Sequence, residues 1–338
     1  MKPTILITGA GGYIGSVTTS LFLKHGYKVL ALDNFSTGWR EPLELLRDMY
    51  GKKKLRIFEA DLTCDKDISK VFEAEKHISG VVHFAASCSV DESMNDPQKY
   101  FANNATGSHN LLVTMLKHRT NSIIYSSTCA VYGNARYLPV DEKHPTDPSN
   151  PYGESKLATE REIAWYGKLS GLRYVILRYF NVCGATEDGT IGDSKKPSTL
   201  LVQNAVRGAL GIAPFYLTCP KVDTPDGTPI RDYINVEDLA QAHLLALEYL
   251  AGGKQSATLN LGTGEGSSVL EVIQAVQKTT GKKFSVHKTK PRKGEYPTMI
   301  ASVAKAKKVL GWHPKHSLSD SVSSLVSWYR KHPNGWSY

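Results

Sequence analysis

The stretch Thr4-Ile5-Leu6-Ile7-Thr8-Gly9-Ala10-Gly11-Gly12-Tyr13-Ile14-Gly15 decides how the rest of the chain is read. A short β-branched and apolar run reads as a strand, and an amphipathic pattern from Tyr13 to His25 reads as a helix. Between them, Gly9, Gly12 and Gly15 recur at intervals of three. Lacking Cβ atoms, they permit a tight turn and a close approach of an anion to the helix N-terminus. Such a corner can hold a dinucleotide pyrophosphate, with Gly9, Gly12, Tyr13, Ile14 and Gly15 as its candidate contacts. Asp33 ends the second strand eighteen residues after Gly15. Its carboxylate can accept hydrogen bonds from an adenosine ribose and would repel a 2′-phosphate, which favours NAD over NADP. Arg40, close by, argues in the other direction.

Further strands are expected at Lys28–Leu32, Arg56–Ala60, Gly80–Ala85, Ser122–Ser127 and Arg173–Arg178, with clear helices at Pro97–His118 and Pro151–Leu169. Near-continuous apolar strands alternating with helices imply an α/β fold, a Rossmann-type doubly wound parallel sheet covered on both faces. Beyond residue 180 the rhythm changes to long Gly-, Pro- and Asp-rich loops, with helices expected at Ser198–Leu210, Val236–Leu250, Ser267–Thr279 and Leu318–Lys331. The division expected is a nucleotide-binding domain over 1–180 and a smaller C-terminal α/β substrate-binding region over 181–338. A segment near 235–262, including a strand at Thr258–Gly262, is a candidate to return to the first domain.

Composition narrows the function. At 338 residues with 41% hydrophobic and 22% charged content, the chain reads as an ordinary soluble globular protein. No apolar run approaches the ~20 residues a membrane helix needs, and the first residues read as a strand, not a signal peptide. The five cysteines are far apart, with no metal-ligand spacing, and are expected as free thiols in a reducing cytoplasm. The net charge of +9 is scattered, which argues against a nucleic-acid partner.

Two further motifs suggest the chemistry. Ser126-Ser127-Thr128 ends a strand, and Tyr152-Gly153-Glu154-Ser155-Lys156 opens a helix after Asn150-Pro151. Positions i and i+4 share a helix face, so Lys156 would stand beside Tyr152. A tyrosine ordinarily titrates near pH ~10; a neighbouring ammonium lowers that value and makes a usable general base. Thr128 supplies a second hydroxyl for the same substrate oxygen. The same spacing recurs at Tyr50–Lys54 in a stretch that reads as a loop, so spacing alone does not decide.

Taken in order, Thr8–Gly15, Asp61-Leu62, His83-Phe84-Ala85-Ala86, Asn103-Asn104, Ser126–Gly133, Tyr152–Lys156, Arg178-Tyr179-Phe180-Asn181, Asp226-Gly227-Thr228, Arg231-Asp232-Tyr233-Ile234 and His332-Pro333-Asn334-Gly335 resemble the extended short-chain dehydrogenase/reductases. Within that superfamily they are similar to the UDP-glucose 4-epimerase family. The resemblance implies NAD as cofactor and a UDP-sugar as substrate, oxidised at C4 to a 4-keto sugar, turned and re-reduced. It places Asp33 and Asn34 on the adenosine ribose and Asp61 and Leu62 near adenine. Phe84, Ala85, Ala86, Ser126 and Tyr179 also fall along the cofactor, and Asn103, Tyr152 and Lys156 on the nicotinamide ribose side. Asn181, Thr199, Leu200, Tyr216, Glu295 and Met299 fall along the substrate, and Arg231 and Arg292 on its phosphates. A homodimer built on helices of the nucleotide-binding domain is also implied.

Departures from the family pattern matter too. Cys88 stands where many members have a lysine, Glu295 replaces an aspartate, and Thr199 an asparagine. Met299 occupies the position beside the sugar that varies with substrate. Tyr216 or Phe215 is placed either to stack on uracil or to sit in the core. Cys129-Ala130 follows Thr128 without the carboxylate that nucleotide-sugar dehydratases and UDP-glucuronate decarboxylases carry there. The alternatives left open are 4-epimerases of UDP-N-acetylhexosamine, UDP-pentose or UDP-uronate, a net NAD-dependent nucleotide-sugar oxidoreductase, and a non-catalytic NAD-binding scaffold.

Overall fold

The computed structural model describes residues 2–195, 198–290 and 296–336. Six strands, β1 (Thr4–Thr8), β2 (Lys28–Asp33), β3 (Leu55–Glu59), β4 (Gly80–His83), β5 (Ser122–Thr128) and β6 (Arg173–Tyr179), are joined by helices from α1 (Tyr13–Lys24) onward. Together with Ala257–Leu261 they form a seven-stranded sheet in the order Ala257–Leu261, β6, β5, β4, β1, β2, β3. The pairs β1–β2, β2–β3, β1–β4 and β4–β5 are parallel. Strand order reverses at β1, so the crevice outside the carboxyl ends of β1 and β4 is where such a sheet receives a ligand. The core is aliphatic, with Leu6, Leu30, Val81 and Ile123 from the strands meeting Ile68, Leu111 and Leu112 from the helices.

The chain from Glu41 to Lys117 contributes α2 (Glu41–Tyr50), α3 (Asp65–Glu73), α4 (Val90–Asn95), α5 (Pro97–Tyr100) and α6 (Gly107–Lys117). The single helix expected over Pro97–His118 is interrupted: Phe101–Thr106 forms a π-helical turn between α5 and α6. The wider turn carries Asn103 and buries Asn104, whose side chain is held by Ser87 and Ser155. Next comes α7 (Pro151–Ser170), which begins sharply because Asn150 accepts the Gly153 N–H at 2.8 Å and Pro151 fits the first helical position. It ends at Gly171, in the left-handed conformation that suits glycine.

Contacts divide the chain into two units. The first holds Met1–Gly133, Pro145–Arg178 and Ala240–Leu259; the second holds Asn134–His144, Tyr179–Leu239 and Asn260–Tyr338. In the second unit, β7 (Asn181–Cys183), α8 (Leu201–Ala209), β8 (Phe215–Leu217), β9 (Ile230–Arg231) and β10 (Tyr233–Asn235) precede the long helix α9 (Val236–Ala251), whose first residues belong here. Helix α8 starts three residues later than the periodicity suggested, with Leu200 in extended conformation before it. Buried Asp232 is the hub: its carboxylate accepts from the Thr263 N–H at 2.6 Å, the Thr263 hydroxyl at 2.7 Å and the Ala301 N–H at 3.2 Å. These bonds fix the residue next to Arg231.

Candidate active site

The three glycines do different work. Gly9 has φ of +67°, and a Cβ there would lie 2.5 Å from the Ala85 nitrogen; one on Gly15 would lie 2.0 Å from the Gly9 carbonyl oxygen. Both are required by packing alone. A Cβ on Gly12 would meet only the Gly9 oxygen, at 3.2 Å, so its outer side is open. Helix α1 also begins at Gly12 without a side-chain cap. An uncapped helix N-terminus with an open glycine face fits a pyrophosphate. Gly15→Ala is expected to cost about 3 kcal/mol or more of stability by overpacking. Gly12→Ala is expected to keep the thermal midpoint near wild type while weakening NAD about tenfold. Calorimetry and NAD titration of both variants check the contrast.

Asp33 is buried and its carboxylate accepts the Gly11 and Phe35 N–H groups, each at 2.8 Å. Burial raises its pKa, and these backbone donors oppose the shift. Arg40, the residue that could have drawn a 2′-phosphate, is paired with Glu59 and lies 4.4 Å over the Phe35 ring. A carboxylate acceptor at this strand end, with Arg40 held by Glu59, therefore fits the hydroxyls of an unphosphorylated ribose, and NAD. Further along, Asn34 donates to Asp61 at 2.8 Å, and the Leu62 carbonyl accepts from Asn110 at 3.0 Å. Phe84, Ala85 and Ala86 lie just beyond the end of β4, and the Phe84 ring is 4.6 Å from that of His243. The Ser126 hydroxyl is within 3.0 Å of His243 Nε2, so this side chain is tied to α9 inside the first unit. Tyr179 is half-buried at the end of β6.

Thr128, Tyr152 and Lys156 come from the end of β5 and the first two turns of α7. All are buried, at 7%, 8% and 2% exposure. The Thr128 oxygen accepts the Ala130 N–H at 3.2 Å, which leaves its own proton to donate. Tyr152 packs edge-on to Tyr100, with centroids 6.3 Å apart. Lys156 Nζ lies 4.5 Å over the Tyr125 ring. Burial pushes the Lys156 pKa down to about 8, with Cys88 and Glu160 pulling the other way. Strand and helix are clamped by Glu160, one turn beyond Lys156. It accepts the Ser127 hydroxyl and takes Arg178 through Nε at 3.0 and 3.1 Å. Arg178 reaches Tyr132 as well, at 3.1 Å. Asn103, on the π-helical turn, donates to the Ser87 hydroxyl at 3.2 Å.

A cavity of about 470 Å³ lies within the second unit and brings together Asn181, Thr199, Leu200, Tyr216 and Arg231. Its described lining includes the cations Lys195, Arg207 and Arg231 and no carboxylate, a balance suited to an anionic ligand. Lys195 and Arg207 were not anticipated: one lies in a long loop and the other reads as an ordinary polar helix position. Strand β8 separates the two aromatic candidates, with Phe215 in the core at 2% exposure and Tyr216 outward at 54%. Met299 is buried opposite Arg231 in the strand register but is not among the described lining residues. Arg292 and Glu295 lie outside the described residues.

A nucleotide-binding sheet with a buried Tyr–Lys pair one turn apart and a buried hydroxyl at a strand end defines an enzyme of the extended short-chain dehydrogenase/reductase class. Within it, the chain belongs to the NAD dependent epimerase/dehydratase family, whose model matches residues 5–262. It is 41% identical over 335 residues to a UDP-glucose 4-epimerase of Lacticaseibacillus casei, covering 98% of each chain. It is also similar to a UDP-glucose 4-epimerase structure from Bifidobacterium longum solved with NAD+ and UDP, at a TM-score of 0.93 and 35% identity, covering 98% of this chain and 100% of that one. A third relative is the UDP-Glc/GlcNAc 4-epimerase of Campylobacter jejuni, with a TM-score of 0.83 and 38% identity over 97% and 99% of the two chains.

Proposed function

We propose that this enzyme interconverts UDP-glucose and UDP-galactose by NAD-dependent oxidation and re-reduction at C4. The observation behind this reading is the burial of Tyr152 and Lys156 on one face of α7, together with the burial of Thr128 at the end of β5. Gly12, Tyr13 and Ile14 would hold the pyrophosphate of NAD, and Asp33 its ribose. Bound there, NAD supplies a reversible acceptor for the C4 hydrogen and its electron pair.

Tyr152 takes the O4 proton and gives it back after the sugar has turned. Thr128 donates to that oxygen and fixes its direction. Lys156 keeps the phenol acidic by its charge, which is felt strongly because both groups are out of water. The UDP part is assigned to the cavity of the second unit, where Arg231, Arg207 and Lys195 face its diphosphate and Tyr216 is available to the base. Anchoring by UDP leaves the hexose free to present either face, so binding energy is spent away from the reacting carbon.

Proton NMR of the purified protein with UDP-galactose is the test. Conversion to UDP-glucose without accumulation of NADH supports the epimerase, whereas stoichiometric NADH would mean a net oxidoreductase. UDP-N-acetylgalactosamine in a parallel tube reads whether the flexible Met299 admits an N-acetyl group.

The assembly inferred is a homodimer formed through α6 and α7. Trp165 and Leu169 stand 59% and 78% exposed one turn apart on α7, and Val113 is exposed on α6; large apolar side chains left in water on helices are candidates for an interface. A Trp165→Glu, Leu169→Glu double variant is expected to sediment as a monomer where the parent sediments as a dimer. No described helix is long and apolar enough to cross a membrane. A cytoplasmic location is proposed from the five cysteines, none of them joined in a disulfide.

A further inference from the structure

An unbroken line of buried hydrogen bonds runs from the residue before the glycine turn to the backbone of Tyr152. Thr8 Oγ1 lies 2.7 Å from His83 Nδ1, and His83 Nε2 lies 2.8 Å from Ser108 Oγ. Ser108 donates to the Asn104 carbonyl at 2.5 Å. From the side chain of the same residue, Asn104 Nδ2 donates to Ser155 Oγ at 3.0 Å, and Ser155 donates to the Tyr152 carbonyl at 2.8 Å. All five linking residues are at most 2% exposed.

The direction of the chain is fixed by what each group can do. A carbonyl only accepts, so the one proton of Ser108 goes to Asn104. Ser108 must then accept from His83, which places a proton on Nε2. His83 is buried against the Tyr125 ring, with Lys156 as the charged group acting on it, and both features disfavour a second proton. They push its pKa down to about 3. The neutral ring offers Nδ1 as an acceptor, and Thr8 donates to it.

We propose that His83 is a positioning residue: its Nε2-protonated imidazole is the directional joint that ties the strand end carrying the nucleotide turn to the helix turn carrying Tyr152. The π-helical turn is what lets Asn104 serve both ends of this line, through its carbonyl toward Ser108 and its amide toward Ser155. This rests on the reading of Tyr152 as the proton carrier. Small displacements of a reacting group cost large factors in rate, so the line is expected to govern turnover more than substrate affinity.

Two measurements on the holoenzyme test it. In a long-range proton–nitrogen NMR correlation of protein labelled with ¹⁵N-histidine, one ring, absent in His83→Gln, is expected to show the neutral Nε2–H pattern unchanged from pH 5.5 to 8.5. An Nδ1–H pattern, or titration in that range, overturns the proposal. Thr8→Val removes the donor at nearly constant shape and is expected to lower kcat for UDP-galactose about tenfold with KM unchanged, whereas Thr8→Ser keeps turnover. Equal effects of the two substitutions would mean packing alone and overturn the proposal. Tyr152→Phe is run alongside. Full activity there removes the proton-carrier reading and the proposal with it, while an inactive Tyr152→Phe beside a wild-type Thr8→Val removes the proposal only.

Discussion

Tyr152→Phe is expected to lower turnover of UDP-galactose by about 10³-fold while leaving the affinity for UDP close to that of the parent. General acid–base catalysis by a positioned side chain is worth about 10²–10⁴-fold, and the substitution deletes only the hydroxyl. The ring would keep its edge contact with Tyr100 and its place behind the Asn150 cap, so the helix start is preserved. Steady-state rates and calorimetric titration with UDP make the check. A fall in kcat without a change in UDP binding is the signature of an interaction made at the reacting oxygen. A variant that binds UDP poorly would place Tyr152 in substrate recognition instead.

Lys156→Met carries the second large effect, and its two parts have opposite signs. Activity is expected to fall by at least about 10²-fold, because nothing else described on that face of α7 would hold a positive charge next to the phenol. Stability is expected to rise. The folded pKa of Lys156 is about 8, below its ordinary 10.5. Below pH 8 both folded and unfolded chains hold the proton, and the folded chain bears the full cost of burying the charge. That cost disappears as pH rises from about 8 to 10.5, where the folded lysine has already lost its proton and the unfolded one has not. Stability from this group is therefore greatest above 10.5 and lost as pH falls through 8. At pH 7 the methionine variant should be about 1–3 kcal/mol more stable. Denaturant unfolding at pH 7 and pH 10 with excess NAD checks this, and the difference between the two proteins should shrink at the higher pH. A less stable variant at pH 7 would mean that the contact with Tyr125 outweighs desolvation.

How much was legible in the sequence depended on the range of the interactions involved. The glycine turn, the continuous apolar strands and the Asn150-Pro151 helix start are local signals, and each produced the element expected from it. A strand at Thr258–Gly262 was also expected from the sequence, and Ala257–Leu261 forms the outer strand of the sheet. Interactions between distant residues were not readable. Nothing near Phe101 announces a π-helical turn, because its cause is the burial of Asn104 between Ser87 and Ser155. The start of α8 was read three residues early for a similar reason: Ser198 and Thr199 have the composition of a helix cap, but the chain remains extended through Leu200 to line the cavity. Lys195 and Arg207 join Arg231 there only after folding. His83 looked like part of a motif, and its function as a joint required the tertiary contacts of Thr8 and Ser108. Alternation along β8 could have separated Phe215 from Tyr216, had so short a strand been recognised.

The central claim is that the hydrogen leaving C4 returns to the same carbon within one binding event. UDP-galactose carrying deuterium at C4 tests it directly, in ordinary water and with no NAD added. The account predicts UDP-glucose that retains the deuterium at C4, with no build-up of reduced cofactor. Loss of the label to solvent would place a proton exchange where this account has a hydride transfer, and would contradict it.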